Sequence, residues 1–394
     1  MTKLNFGAKL LLAIVLIVSS IKYANSDSSL TLEKKLKKFS SAYKLPGVSV
    51  SIVFADDSTA SAAVGFADLQ AEKAMTIDSR MLAASIGKTF VAASILLLVR
   101  DSSISLDDKL SCYLADRPWF NELPNSKQIT IRQLLQHTSG LADHVYLPEF
   151  RQRFADSLEN PLLSKMETED VIAMLHKTDP LFESGEGWSY SDTGYLILGL
   201  VIEHVTQQNY YTWVNEKILA PLGLKNTIPA NSRYIEQLAV GYTSANNEFG
   251  LPVRTSDAQG LLLWNPHIEW TGGGYASTSE DLARWGKLLF DSSFLKEHER
   301  VVLLKGVSLS DSNDSIRYGL GVAIYQDRLY GDIYGHRGWL PGYTSSLRYY
   351  KDFGVSIALQ INTDEIDLSN GDDVLTRLES MLADFAFNKV KVHH

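Results

Sequence analysis

From residue 30 the chain reads LTLEKKLKKFSSAYK, which sets Leu32, Leu36, Phe39 and Tyr43 on one face of a helix and lysines on the other. Past Pro46-Gly47, VSVSIVFADDSTASAAVGFA alternates and turns at ADDST, the pattern of a β-hairpin. From about 85 to 300 helical periodicity dominates, broken by Gly, Pro and Asn loops. Near the end, YGLGVAIYQ, YTSSLRYY and GVSIALQI are strand-like runs joined by short turns, and VLTRLESMLADFAF closes as a helix. Strands at both ends with helices between predict an α/β (α+β) fold whose sheet is assembled from the two ends of the chain.

The first residues follow another pattern. Lys3 and Lys9 precede LLLAIVLIV, and the stretch turns polar at SSIKYANSDSS, the layout of an export signal with a cut after Ser26. The run is short for a bilayer span, and no other segment is apolar enough to cross one. Export to the periplasm or the medium is the expectation, with no stable membrane span after cleavage. Removing residues 1–26 takes away three lysines and no acids, moving the formal charge from −9 to −12, which disfavours a nucleic-acid partner. With 45% hydrophobic and 21% charged residues among 394, residues 27–394 have material for one large catalytic domain. Cys112 is the only cysteine, so an internal disulfide and a cysteine metal site are excluded.

Three stretches carry chemistry. In SIGKTFVAASILLLVR, Ser85 and Lys88 are three apart and share a helical face at the head of an apolar run, where free N–H groups favour negative charge. Ser-x-x-Lys recurs at Ser19, Ser41 and Ser293, but only Ser85 opens a buried-looking helix. A phosphate loop is excluded because Leu82 stands where glycine is required; G-x-S-x-G and zinc spacings are absent. In GEGWSYSDTGYLILGL, Tyr190 and Asp192 occupy a Gly-rich loop before an apolar helix, a place from which side chains reach a cleft. In YGHRGWLPGY, His336 and Arg337 precede Gly338, which permits close approach of a backbone or ligand.

Ser85-Ile86-Gly87-Lys88, Tyr190-Ser191-Asp192 and His336-Arg337-Gly338, in this order and spacing, resemble the three active-site elements of the penicillin-recognising serine hydrolases. The chain is most similar to the class C β-lactamase, DD-carboxypeptidase and esterase branch; ITIRQLLQHTSGL, GGGYASTSEDLARWGKLL, YGLGV and ALQIN agree. The resemblance implies a sheet lobe (about 45–84 and 300–390) flanked by helices, a mainly helical lobe (about 100–270) inserted in it, and a site between them. It implies Ser85 as nucleophile, Lys88 and Tyr190 sharing its proton, and His336 as a donor on the far wall. The backbone N–H groups of Ser85 and Trp339 would form the oxyanion hole. It implies no metal or organic cofactor.

Asp192 departs from the pattern, since relatives commonly carry asparagine there, and an ionised aspartate accepts hydrogen bonds only. Beside Lys88 it would favour the ammonium and leave Tyr190 as proton acceptor. Arg337, with Gly338 and Asp192 at the substrate, would hold a carboxylate, or would point outward from its strand. The expected activity is a D-Ala-D-Ala carboxypeptidase-like peptidase on cell-wall peptides. The alternatives are a broad carboxylesterase, which Asp192 favours, a class C-like β-lactamase, and a non-catalytic peptide-binding scaffold. In each case the partner is a small-molecule or peptide acyl donor.

Overall fold

The computed structural model describes residues 28–159, 166–310, 315–366 and 373–390. The expected export signal, residues 1–26, lies outside them. Nine strands form one antiparallel sheet: β1 (Gly47–Val53), β2 (Thr59–Asp68), β3 (Lys73–Ala74), β4 (Val307–Ser308), β5 (Ile316–Tyr318), β6 (Ala323–Asp327), β7 (Gly331–Leu340), β8 (Tyr343–Tyr350) and β9 (Val355–Ile361). Their spatial order is β3-β2-β1-β9-β8-β7-β6-β5-β4, so the first hairpin joins the last strands through β1 and β9, with Val50 opposite Leu359. The turn falls where the sequence placed it, Val53 pairing with Thr59.

Alternation along β1 decides what each face covers. Val48, Val50 and Ile52 meet helix α1 (28–43) and the closing helix α5 (Val374–Val390), where Leu32, Leu36, Leu378 and Leu382 are fully buried. Ser49 and Ser51 face the other side and share hydrogen bonds with Ser279, the first residue of α4 (Ser279–Phe290), at 2.8 and 2.9 Å. Two seryl hydroxyls inside a sheet are tolerable because each has a buried partner. The lysines of α1 at 34, 35, 37 and 38 are exposed, and Phe39 packs on Tyr43 at 4.6 Å between ring centroids.

The helical region lies on the α4 side of the sheet. Its two inner helices, α2 (Lys88–Arg100) and α3 (Asp192–Thr206), are apolar nearly all round and pack against each other. Such helices belong in a core rather than at a surface. Phe90 of α2 stacks on Trp285 of α4 at 4.4 Å, and the Trp285 indole donates to Thr89 Oγ1 at 2.7 Å. No helix among the described residues is long and apolar enough to cross a membrane.

Candidate active site

Ser85 sits in a 3-10 turn, Ala84–Gly87, and α2 begins only at Lys88. The expectation that Ser85 opens the α-helix is corrected by one turn; the tighter turn still runs straight into α2. Ala84 holds φ +49°, a left-handed conformation that costs an L-residue about 1–3 kcal/mol and has to be imposed by its surroundings. The imposing neighbours are two backbones: a Cβ on Gly273 would lie 2.6 Å from the Ala84 carbonyl carbon, and one on Gly338 would lie 2.4 Å from Ala83 O. Gly338 of β7 is therefore required for the strand to close on the serine turn. Gly338→Ala should cost about 1–3 kcal/mol through overpacking. It should also cut hydrolysis at least tenfold by displacing Ser85; wild-type rates with a lowered Tm would contradict this tie.

Lys88 is fully buried beneath the serine. Its ammonium donates to Ser85 Oγ at 3.1 Å and to Gly272 O at 2.5 Å, and it forms an ion pair with Asp192 Oδ1. Three donors meet three acceptors, which satisfies the group without water. The same nitrogen stands 5.0 Å from the Tyr190 ring centroid and 5.2 Å from that of Tyr195. Asp192 is placed by its position as the first residue of α3, whose loop is fixed by Ser191 N donating to His137 Nδ1 at 3.2 Å and Ser191 Oγ to Ala142 O at 3.1 Å.

Tyr190 packs on His137 at 4.2 Å between centroids, and its hydroxyl oxygen is buried. Burial first, and the Asp192 charge second, push its phenol well above the ordinary value, with Ser85 offsetting this only in part. The expectation that Lys88 would make Tyr190 a ready proton acceptor is thereby corrected: the phenol holds its proton. His137 is driven well below the ordinary imidazole range by burial and then by Lys88, so the ring under Tyr190 is neutral.

The third element differs most from expectation. His336 Nε2 shares a 2.8 Å hydrogen bond with the Tyr318 hydroxyl, and Nδ1 lies 2.5 Å from Arg337 O. Burial, then Lys88, lowers its pKa to about 3. A neutral ring with Nδ1–H donating to a carbonyl and Nε2 accepting from a tyrosine has no N–H left for a substrate, so the donor role given to His336 is corrected to a wall position. Arg337, the next residue, points to the opposite face of the sheet. There it meets α5 and the residue before it: Nη1 lies 2.9 Å from Asp373 Oδ2 and Nη2 2.7 Å from Glu379 Oε2. The reading of Arg337 as a carboxylate holder is corrected, since its charge is already spent on two carboxylates. Trp339 is 47% exposed and its ring lies 5.9 Å from Phe249.

These side chains line one cavity of about 440 Å³, which holds Ser85, Tyr190, Asp192, His336 and Trp339. Sequence reasoning missed two further members, Asp143 and Glu269. Asp143 accepts from Val145 N at 3.2 Å. Burial and then Asp192 raise Asp143 to about 7 and Glu269 to about 8. A single acid in each of two short stretches, LADHVY and HIEWTGGG, was the available signal.

A nine-stranded antiparallel sheet flanked by helices, with a serine over a buried lysine and a tyrosine beside it, is the arrangement that the three sequence motifs implied. A sequence model of the beta-lactamase family matches residues 32–379, and the chain belongs to that family. It is 28% identical over 307 residues to penicillin-binding protein 4* of Bacillus subtilis, covering 76% of this chain and 64% of the relative. It is 27% identical over 312 residues to a D-aminopeptidase of Brucella anthropi, covering 78% and 55%. The chain thus spans less than two thirds of the length of these curated relatives. Among solved structures, a D-stereospecific amidohydrolase from Streptomyces sp. superposes with a TM-score of 0.72 at 26% identity, covering 86% of this chain and 94% of that one.

Proposed function

We propose that the protein is an exported peptidase-like hydrolase that opens amide bonds next to D-amino acids through an acyl-enzyme on Ser85. The observation that carries this is the 3.1 Å contact between Lys88 Nζ and Ser85 Oγ at the floor of a cavity large enough for a dipeptide. Relatives named as a D-aminopeptidase and a D-stereospecific amidohydrolase support the substrate class.

The chemistry follows from the resting hydrogen bonds. Lys88 passes a proton to Asp192 and takes the proton of Ser85, whose oxygen bonds to the substrate carbonyl carbon as the C=O π pair moves to oxygen. The backbone N–H groups of Ser85 and Trp339 receive that oxyanion. As the tetrahedral carbon collapses, the C–N bond breaks and Tyr190, which keeps its proton in the resting site, donates it to the departing amine. Tyr190 recovers a proton from Lys88, and Lys88 from Asp192, so the serine proton leaves with the amine. Water then repeats the sequence on the ester.

Acid help matters only for a poor leaving group. Tyr190→Phe should therefore lower kcat/KM on an anilide or peptide about 10²–10⁴-fold and on a p-nitrophenyl ester by about tenfold or less. Equal losses on both would contradict the assignment. A broad esterase is the second reading, because Asp192, committed to Lys88, has no donor to offer an amide carbonyl. D-Ala-D-Ala peptides, D-amino acid amides, a penicillin and short-chain esters given to one preparation separate the readings. Amide turnover supports the first, ester turnover alone the second, rapid penicillin turnover a lactamase, and no adduct or turnover a binding scaffold. Export predicts that the protein recovered outside the cytoplasm begins at Asp27.

A further inference from the structure

The cavity beside Ser85 is lined by carboxyls and, among the described residues, offers no free cation to a carboxylate-bearing substrate. Asp143, Asp192 and Glu269 all line it. Lys88 answers Asp192. Among the described residues no lysine or arginine forms an ion pair with Asp143 or Glu269, and the imidazole of His144, 3.8 Å from Asp143, is neutral. Arg337 borders the cavity, but its guanidinium is turned to the other face of the strand and tied to Asp373 and Glu379. Two carboxyls therefore remain without an ion-pair partner of their own in a confined space, with Lys88 acting on both only through its field, and an unpaired charge there is costly.

A second observation is independent of charge. Trp264 lines the same cavity and is only 2% exposed, yet its indole Nε1 has no hydrogen-bond partner. A buried donor without an acceptor is uncommon and points to a ligand oxygen or water. Phe150, Phe154 and Phe249 give the same cavity an apolar wall. A molecule that answers all three features bears a primary ammonium, a carbonyl-type oxygen and an apolar side chain.

We propose that this part of the cavity is a subsite for the free α-ammonium of an aminoacyl donor, held by Glu269 and Asp143, with the donor's side chain against the three phenylalanines. The inference rests on Ser85 as the acylated residue and names the donor that the site selects. It also gives the two raised carboxyls a use: a bound ammonium favours their ionised forms, offsetting the burial that now opposes ionisation. An N-acylated donor would instead bury a neutral amide against them and gain nothing.

The test uses three anilides with one leaving group: D-phenylalanine p-nitroanilide, its N-acetyl derivative, and 3-phenylpropionyl p-nitroanilide, which lacks the nitrogen. The native protein should prefer the free amine over the acetylated form by at least about 50-fold in kcat/KM. Glu269→Gln and Asp143→Asn should each narrow that ratio about tenfold, chiefly through KM. Melting curves identify a variant that has lost its fold, and the native ratio decides by itself if both have. Equal rates on the free and acetylated anilides, with acylation of Ser85 intact, overturn this inference alone. A preference that neither folded variant narrows overturns the assignment of Glu269 and Asp143. Failure of all three anilides together with no adduct on Ser85 overturns this inference and the acyl-enzyme reading beneath it.

Discussion

Ser85→Ala is expected to abolish turnover of every acyl donor the native protein accepts, a loss of about 10⁴-fold or more in kcat, while Tm stays within a few degrees. The reason is geometric: among the described residues Ser85 Oγ is the only hydroxyl that accepts a hydrogen bond from the buried Lys88 ammonium, whose other two protons go to Gly272 O and Asp192. Removing one oxygen atom leaves Lys88 with two charged or polar partners, so stability changes little. Lys88→Met should match the loss in activity but not the tolerance in Tm, because Asp192 would be left beside an apolar side chain without its cation. If Ser85→Ala keeps even a tenth of the native rate on anilides, the hydroxyl at 85 is not the acyl acceptor.

Glu379→Gln should be the most destabilising single change outside the site, by roughly 3–5 kcal/mol, a fall in Tm on the order of 4–6 °C. Glu379 of α5 receives Arg337 Nε at 3.1 Å, Arg348 Nε at 3.0 Å and Ser346 Oγ at 2.5 Å. Arg348 is only 5% exposed, and its guanidinium lies 4.0 Å over the Tyr325 ring. Without the carboxylate, that cation is buried without a countercharge. Burial by itself would raise the Glu379 carboxyl, but Arg348 and then Arg337 outweigh it and hold the group at about 2. A carboxyl lowered in the folded state adds stability above its unfolded value of about 4.3 and loses it as the pH falls toward 2. The urea midpoints of native protein and Glu379→Gln should thus lie far apart at pH 7 and converge below pH 4. Midpoints within experimental error of each other at pH 7 would contradict the network. The double change Glu379→Met with Arg348→Met should recover part of the loss, since replacing a whole buried pair is far less costly than breaking it.

The elements nearest each end of the chain were legible because their signals are local. Alternation with a turn at ADDST gave β1 and β2, and the placement of Leu32, Leu36, Phe39 and Tyr43 gave the first helix and its buried face. Ser85, Lys88, Tyr190 and Asp192 were legible as an ordered set of short motifs, and the fold does bring them to one cavity. Strand alternation even offered the outward direction of Arg337, but its partners lie on α5, some 40 residues onward, where no local pattern announces them. The saturation of His336 depends on Tyr318 from another strand. Glu269 and Asp143 are single acids whose meaning arises only when two loops, far apart in sequence, close on the same cavity. The start of α2 was read early because propensity does not register that Ala84 is forced into a left-handed turn by Gly273 and Gly338.

The central claim is that an acyl group resides on the oxygen at 85 during turnover. Its most direct measurement is rapid acid quench of the native protein with D-phenylalanine p-nitrophenyl ester, followed by intact mass and peptide mapping. One phenylalanyl increment is expected on the peptide containing Ser85, formed before steady-state release of product and absent from Ser85→Ala. An increment mapped to any other residue, or steady turnover in the alanine variant at the native rate, would contradict it.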